Sequence, residues 1–233
     1  MAFKTKGYLK ETRRPVYSAA VILPFLIIYH AGTLILNTTY INGADAVIIR
    51  ILRVISVHSM FGSAIVLALC FAIWQLRTRT SWKIRWSMLL IYFLESVCFA
   101  LVLMFFFGWL TSHLSLSLVE QDSAIADLVL YCGAGVYEEL VFRAFSLWIL
   151  IAVFKKIFPD RAVAAIAAAA VLGSLLFAAF HYIGSSGDVF SFGSYTQRAI
   201  GGLYFSILFV TRGFGVTAAS HAIYDILIGV ILA

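Results

Sequence analysis

The sequence predicts an all-α, polytopic transmembrane helix bundle of about seven spans, and three observations carry that expectation. Of 233 residues, 63% are hydrophobic and only 12% are charged, which is more apolar surface than one soluble core of this size can hide. Apolar runs recur at roughly 16–36, 56–76, 86–112, 128–153, 162–183, 197–211 and 214–232, most of them near the ~20 residues that a helix needs to cross a bilayer. The stretches between the runs alternate in charge, as orientation signals do.

Each element follows in turn. Lys4, Lys6, Lys10, Arg13 and Arg14 precede the first run and superficially resemble the start of a signal peptide. The run continues to about Leu36 with no A-x-A-like site after it, so it is expected to be a retained helix. Asn37-Thr38-Thr39 matches a glycosylation acceptor, a three-residue pattern common by chance. The stretch 38–55, with Arg50 and Arg53 among Ile and Val residues, reads either as a loop and an interfacial amphipathic helix or as part of a longer second span, which would make the count eight.

Basic residues crowd the N-terminal tail, the 77–85 loop (Arg77, Arg79, Lys83, Arg85) and the 154–161 loop (Lys155, Lys156, Arg161), with Arg212 on the same side. The 113–127 stretch carries Glu120, Asp122 and Asp127 without a basic residue, and 183–196 carries only Asp188. The positive-inside rule then puts the N-terminus in the cytoplasm and the C-terminus across the membrane, with Arg50 and Arg53 as exceptions. Gly184, Gly187 and Gly193, with Ser185, Ser186, Ser191 and Ser194, mark a polar loop on the far side, a connector or a gate to a site. No internal repeat or linker divides the chain, so 1–233 is expected to be one domain.

Seventeen Lys and Arg against eleven Asp and Glu give a net charge of +6. The basic residues sit in short inter-span stretches with no aromatic-lined groove, so no nucleic-acid partner is expected. Cys70, Cys98 and Cys132 lie in apolar runs without paired spacing and read as small core residues.

An ionisable group at mid-membrane costs at least ~2.5–3.5 kcal/mol, so each needs a partner or a purpose. The candidates are Glu95, Glu138, Glu139, Arg143 and Asp225, with His30, His181 and His221. On a helix advancing about 100° per residue, Glu139 and Arg143 stand one turn apart and can pair, whereas Glu138 points well away from the arginine. The doublet divides into a supporting ion pair and a carboxylate left free for proton transfer. His181 follows Phe177 by four residues, and Asp225 follows His221 by four. Two histidines on separate spans from an unpaired glutamate supply proton transfer, water alignment and oxyanion donation, which hydrolysis requires. A buried ionic network without catalysis remains open at this point. His30 is expected to make an inter-helix hydrogen bond or to lie at the interface. Glu95 is expected to pair with Arg143 or a histidine, or to line a polar entry path.

No H-E-x-x-H string is present, which argues against a typical membrane zinc protease, and no G-x-S-x-G elbow sets up a serine nucleophile. Tyr224-Asp225 and Ser186-Gly187-Asp188 stand in the wrong order for a presenilin-type aspartate pair. No cofactor is expected. A divalent metal such as zinc among Glu138, Glu139, His181, His221 and Asp225 is the alternative.

The string Glu138-Glu139-Leu-Val-Phe-Arg143, then Phe177-x-x-x-His181, then His221-x-x-x-Asp225, each on its own apolar span, resembles the CAAX-protease and bacteriocin-processing family of glutamic intramembrane endopeptidases. The resemblance covers about residues 124–233. It implies that Glu138 is the general base, that His181 orients the attacking water, that His221 with Asp225 faces the scissile carbonyl, and that Glu139 and Arg143 support the site. It further implies a membrane-associated or lipidated protein or peptide substrate, and a multi-pass protein such as one of a bacterial inner membrane. The third motif often ends in Asn in that family. Asp225 departs from this, because an ionised carboxylate only accepts hydrogen bonds, so Asp225 is expected to orient His221 and leave the oxyanion to that ring. Helix ends put His181 toward the far side of the membrane and Glu138 and His221 near its middle. A proton-coupled transporter, or an immunity or scaffold protein retaining the motifs, are the competing classes.

Overall fold

The computed structural model describes residues 5–36, 42–57, 59, 61–114, 124–184 and 187–231. The order is α1 (Thr5–Thr12), α2 (Pro15–Ile35), α3 (Gly43–Val54), α4 (Gly62–Thr78), α5 (Trp86–Leu114), α6 (Ala124–Glu139), a π-helical segment Leu140–Leu147, α7 (Trp148–Ile157), α8 (Ala162–Phe180), α9 (Phe192–Arg212), α10 (Phe214–Ile226) and a second π-helical segment Leu227–Ile231. No strand occurs among the described residues. Each of the seven predicted apolar runs contains a helix among the described residues. The helices over Pro15–Ile35, Trp86–Leu110, Ala162–Phe180 and Phe214–Ile231 are long and apolar enough to cross a membrane, and Gly62–Thr78 is a shorter apolar helix.

Local chemistry explains the boundaries. Pro15 opens α2, where its missing N–H costs no helical hydrogen bond. Asn42 caps α3 by accepting from the backbone N–H of Ala44 and Asp45 at 2.9 and 3.4 Å. The short α3 buries Ala44, Asp45 and Ile49 and exposes Arg50 and Arg53, the two-faced helix that the 38–55 stretch allowed. The acceptor sequence Asn37-Thr38-Thr39 lies outside the described residues. Gly213, at φ 91°, takes the left-handed backbone between α9 and α10.

The centre of the bundle is α10. Every residue from Phe214 to Ala222 is buried, and the helix packs on α2, α5, α6 and α9. Ala218, Ala219, Ser220 and Ala222 keep its surface thin, which is how helices approach closely where lipid supplies no hydrophobic drive. At the closest point a methyl group on Gly135 of α6 would stand 2.4 Å from the backbone nitrogen of Ala222, so only glycine fits. On the outside, Val163, Trp86, Ile35 and Trp148 are exposed, as expected of side chains facing acyl tails. Cys132 is buried in the core as predicted, but Cys98 is on an exposed face of α5.

Candidate active site

Glu138 and Glu139 end α6, and the backbone then widens into the π-helical segment that carries Arg143. Ser146 Oγ donates to the Val141 carbonyl five residues back, at 2.8 Å, satisfying part of the loosened ladder. Wide turns of this kind frequently lie at functional sites. The Glu139–Arg143 pair survives the change in helix type. Arg143 Nη1 stands 2.9 Å from Glu139 Oε1, an ion-pair distance reached off the line of a good hydrogen bond. Arg143 is 1% exposed. It donates to the Gly202 carbonyl at 3.2 Å, and its guanidinium lies 4.4 Å over the Phe177 ring. One buried cation therefore ties the π segment to α8 and α9.

Glu138 faces a different set of groups. Its Oε1 accepts from Asn42 Nδ2 at 2.9 Å, and its Oε2 lies 3.9 Å from His181 Nε2. His181, at the C-terminal cap of α8, donates through Nδ1 to the Phe177 carbonyl at 3.0 Å. A carbonyl only accepts, so in the neutral ring Nε2 carries the lone pair and points at the carboxylate. The depth assigned to His181 from the helix ends separated it from Glu138, and packing of α8 brings the two together.

His221 projects from α10 and donates through Nδ1 to Glu139 Oε1 at 2.7 Å. Its ring stacks on Phe205 with centroids 4.4 Å apart, and its Nε2 lies 3.4 Å from Asp225 Oδ2. Asp225 lies beside the ring it is expected to orient, and the ring's shorter contact is to Glu139, which also holds Arg143. The helical i,i+4 spacing brought Asp225 near the ring, but α6 packs close enough through Gly135 to place a carboxylate on the opposite nitrogen. The six predicted residues thus form one continuous cluster. Glu139 and Arg143 lie at its sealed end, while His181 and Asp225 keep side-chain exposures of 22% and 20% at its open end. Among the described residues, no three His, Cys, Asp or Glu side chains are grouped so as to hold a metal ion.

Glu95 lies apart from this cluster. It pairs with neither Arg143 nor a histidine. Arg212 Nε and Nη2 donate to its two oxygens at 2.6 Å each, and Tyr8 donates to Oε2 at 2.6 Å. The partner was unreadable from α5 because Arg212 lies 117 residues away and reads as a loop charge. His30 makes the predicted inter-helix bond, with Nε2 2.7 Å from the Tyr137 hydroxyl. The polar loop folds back on the cluster: Asp188 N–H donates to the His181 carbonyl at 2.9 Å, and Arg198 of α9 holds the Asp188 carboxylate at 2.5 Å. Ser185 and Ser186 lie outside the described residues.

Asn42 was absent from the predicted site. Its one sequence signal is Asn-Gly-Ala-Asp, an N-cap pattern at the start of α3. That pattern says where a helix begins and nothing about what the amide nitrogen faces.

Comparison with known families supplies an independent line. The model of the family described as "Type II CAAX prenyl endopeptidase Rce1-like" matches residues 120–227. That stretch contains all three motifs, so the match identifies the same family as the motif resemblance. Such a family implies a membrane endopeptidase in general terms. No curated protein matches the chain, and no solved structure does.

Proposed function

We propose that this integral membrane protein is an intramembrane glutamic endopeptidase that hydrolyses a peptide bond in a membrane-associated or lipidated protein or peptide, with its N-terminus in the cytoplasm. The observation that carries the proposal is the facing pair Glu138 Oε2 and His181 Nε2, 3.9 Å apart. Both atoms are acceptors, and the gap is too long for a direct hydrogen bond but suits one water that donates to each. A water held in that way turns a lone pair outward, toward a peptide carbonyl.

On this reading, Glu138 removes a proton as the water oxygen attacks the carbonyl carbon. The electrons of the carbonyl double bond move to its oxygen, and their return expels the amine, which takes the proton from Glu138. No acyl-enzyme forms. His221 has Nδ1–H committed to Glu139, so Nε2 is the ring atom that meets the developing oxyanion. Asp225 Oδ2 lies 3.4 Å from that nitrogen and can accept from it when it carries a proton. Arg143 neutralises Glu139 and keeps that carboxylate from repelling the substrate oxygen. The supporting pair and the base thus have separate tasks, as their positions on α6 imply.

The test is Glu138→Gln, reconstituted in lipid vesicles and assayed with fluorogenic peptides that carry an isoprenoid or acyl chain. Cleavage is expected to fall by at least about 100-fold, the scale of general-base removal, while thermal stability stays close to that of the parent. Cleavage at the parent rate would sink the mechanism. Metal analysis of the same preparations separates it from metal-assisted hydrolysis: stoichiometric zinc lost on His181→Ala would replace Glu138-led attack.

A further inference from the structure

The loop before α3 contributes a residue to this site. Asn42 Oδ1 is occupied by the backbone N–H groups of Ala44 and Asp45 at 2.9 and 3.4 Å. A flipped amide would put its NH2 against those two donors and its oxygen against the Glu138 carboxylate, so only one orientation is consistent with its neighbours. That orientation aims Nδ2 at Glu138 Oε1, 2.9 Å away. The backbone is fixed as well: Asn42 N–H donates to the Tyr29 hydroxyl at 3.2 Å, and that hydroxyl donates to Asp45 Oδ2 at 2.7 Å. Asp45 and Tyr29 are each 1% exposed. Asn42 is therefore clamped on three sides and presents one amide donor to the carboxylate.

We infer that Asn42 is a positioning residue of the site: it pins one oxygen of Glu138 and turns the other toward His181. This rests on the assignment of Glu138 as the base. The terminal torsion of a glutamate is broad and roughly two-fold, so a carboxylate without such a donor would not keep one oxygen aimed at His181. An amide N–H donates to a carboxylate oxygen, whereas a second carboxylate in its place would repel it. The other charged or titratable groups acting on Glu138 are its neighbour Glu139, Arg143 from the π segment, His181 from α8, and His221 and Asp225 from α10. From α2 and α3, His30 and Asp45 are engaged with Tyr137 and Tyr29. Asn42 supplies the uncharged donor in this set.

Asn42→Asp separates positioning from helix capping. An aspartate oxygen still caps α3, so thermal stability is expected to stay near that of the parent, but the donor facing Glu138 becomes a like charge. Infrared spectra of protein carrying 13C-labelled glutamate, with Glu138→Gln to identify the band, should show the Glu138 carboxylate stretch displaced from its place in the parent, because the amide donor on one oxygen is gone. Cleavage should show kcat lowered by about tenfold or more, the scale of one hydrogen bond, with KM changed less. If Asn42→Asp does not fold, Asn42→Ser, which retains a capping oxygen, is measured in the same way and should show a smaller shift of the same sign. An unchanged band and an unchanged kcat in a folded variant would overturn the assignment. A displaced band in preparations that cleave nothing would uphold Asn42 as the residue that positions Glu138 and count against the peptidase reading instead.

Discussion

Two carboxylate clusters lie in this bundle, one half-buried around Glu95 and one buried around Glu138 and Glu139, and they are built to different specifications. Around Glu95 both oxygens are taken, by the two arms of Arg212 and the Tyr8 hydroxyl, each at 2.6 Å. Arg212 Nη2 also reaches Thr12 Oγ1 at 3.3 Å, so the cluster fastens α1 and α5 to the end of α9. Around Glu138 and Glu139 satisfaction is incomplete. Glu139 Oε2 is buried without a hydrogen-bond partner among the described residues, and Glu138 Oε2 meets His181 only across 3.9 Å. A fastener gains by pairing both carboxylate oxygens, because an unmade buried bond costs about 1–3 kcal/mol, although Arg212 Nη1 is itself buried without a hydrogen-bond partner among the described residues. A site that must admit water and a peptide oxygen has to leave some acceptors open, and its stability is met by Arg143 and by packing elsewhere.

Substitutions sharpen that contrast, the largest effect first. Arg143→Ala leaves Glu139 as an uncompensated buried charge and removes the contacts to Gly202 and Phe177, so it should cost about 3–5 kcal/mol and abolish cleavage with it. A thermal unfolding curve that matches the parent would break the claim that the site is supported by this pair. Glu95→Gln is next: losing a charge-assisted bond at the fastener should lower stability by about 2 kcal/mol, while cleavage per folded molecule is unchanged. That is the reverse of the pattern expected for Glu138→Gln, and matching behaviour of the two variants would erase the distinction between the clusters. Asp225→Asn should change least. The amide retains an acceptor and adds a donor, so cleavage measured at neutral pH should move by less than about tenfold, the scale of one neutral hydrogen bond. A loss far beyond that would show that the Asp225 charge, and not only an acceptor beside His221, is needed at the site.

Much of the architecture was legible because it is local. The apolar runs correspond to helices since a bilayer allows few other solutions for the backbone, and the separation of Glu138 from the Glu139–Arg143 pair follows from helical periodicity alone. What was hidden is what packing decides. His181 and Glu138 come together only through the placement of α8 beside the π segment. His221 is oriented by Glu139 because Gly135 lets α10 approach α6. Arg212 read as a topological charge and proved to be the partner of Glu95, and Asn42 read as loop and proved to face the doublet. The π turn itself has no clear sequence mark, since Leu140–Leu147 contains neither proline nor glycine.

That turn has a consequence for how the helix can vary. Ahead of it α6 is fitted to α10, and beyond it α7 is fitted to α8. A straight α-helix would lock both halves in one phase, so any adjustment of α7 against α8 would rotate the glutamates away from the histidines. The wide turn works as a phase shifter between them, setting α7 on α8 while the doublet keeps its bearing on α10. Exchanges that force a regular α pitch on 140–147 at unchanged length should therefore be far more harmful than conservative ones there, because they would turn one half of the helix away from its neighbour.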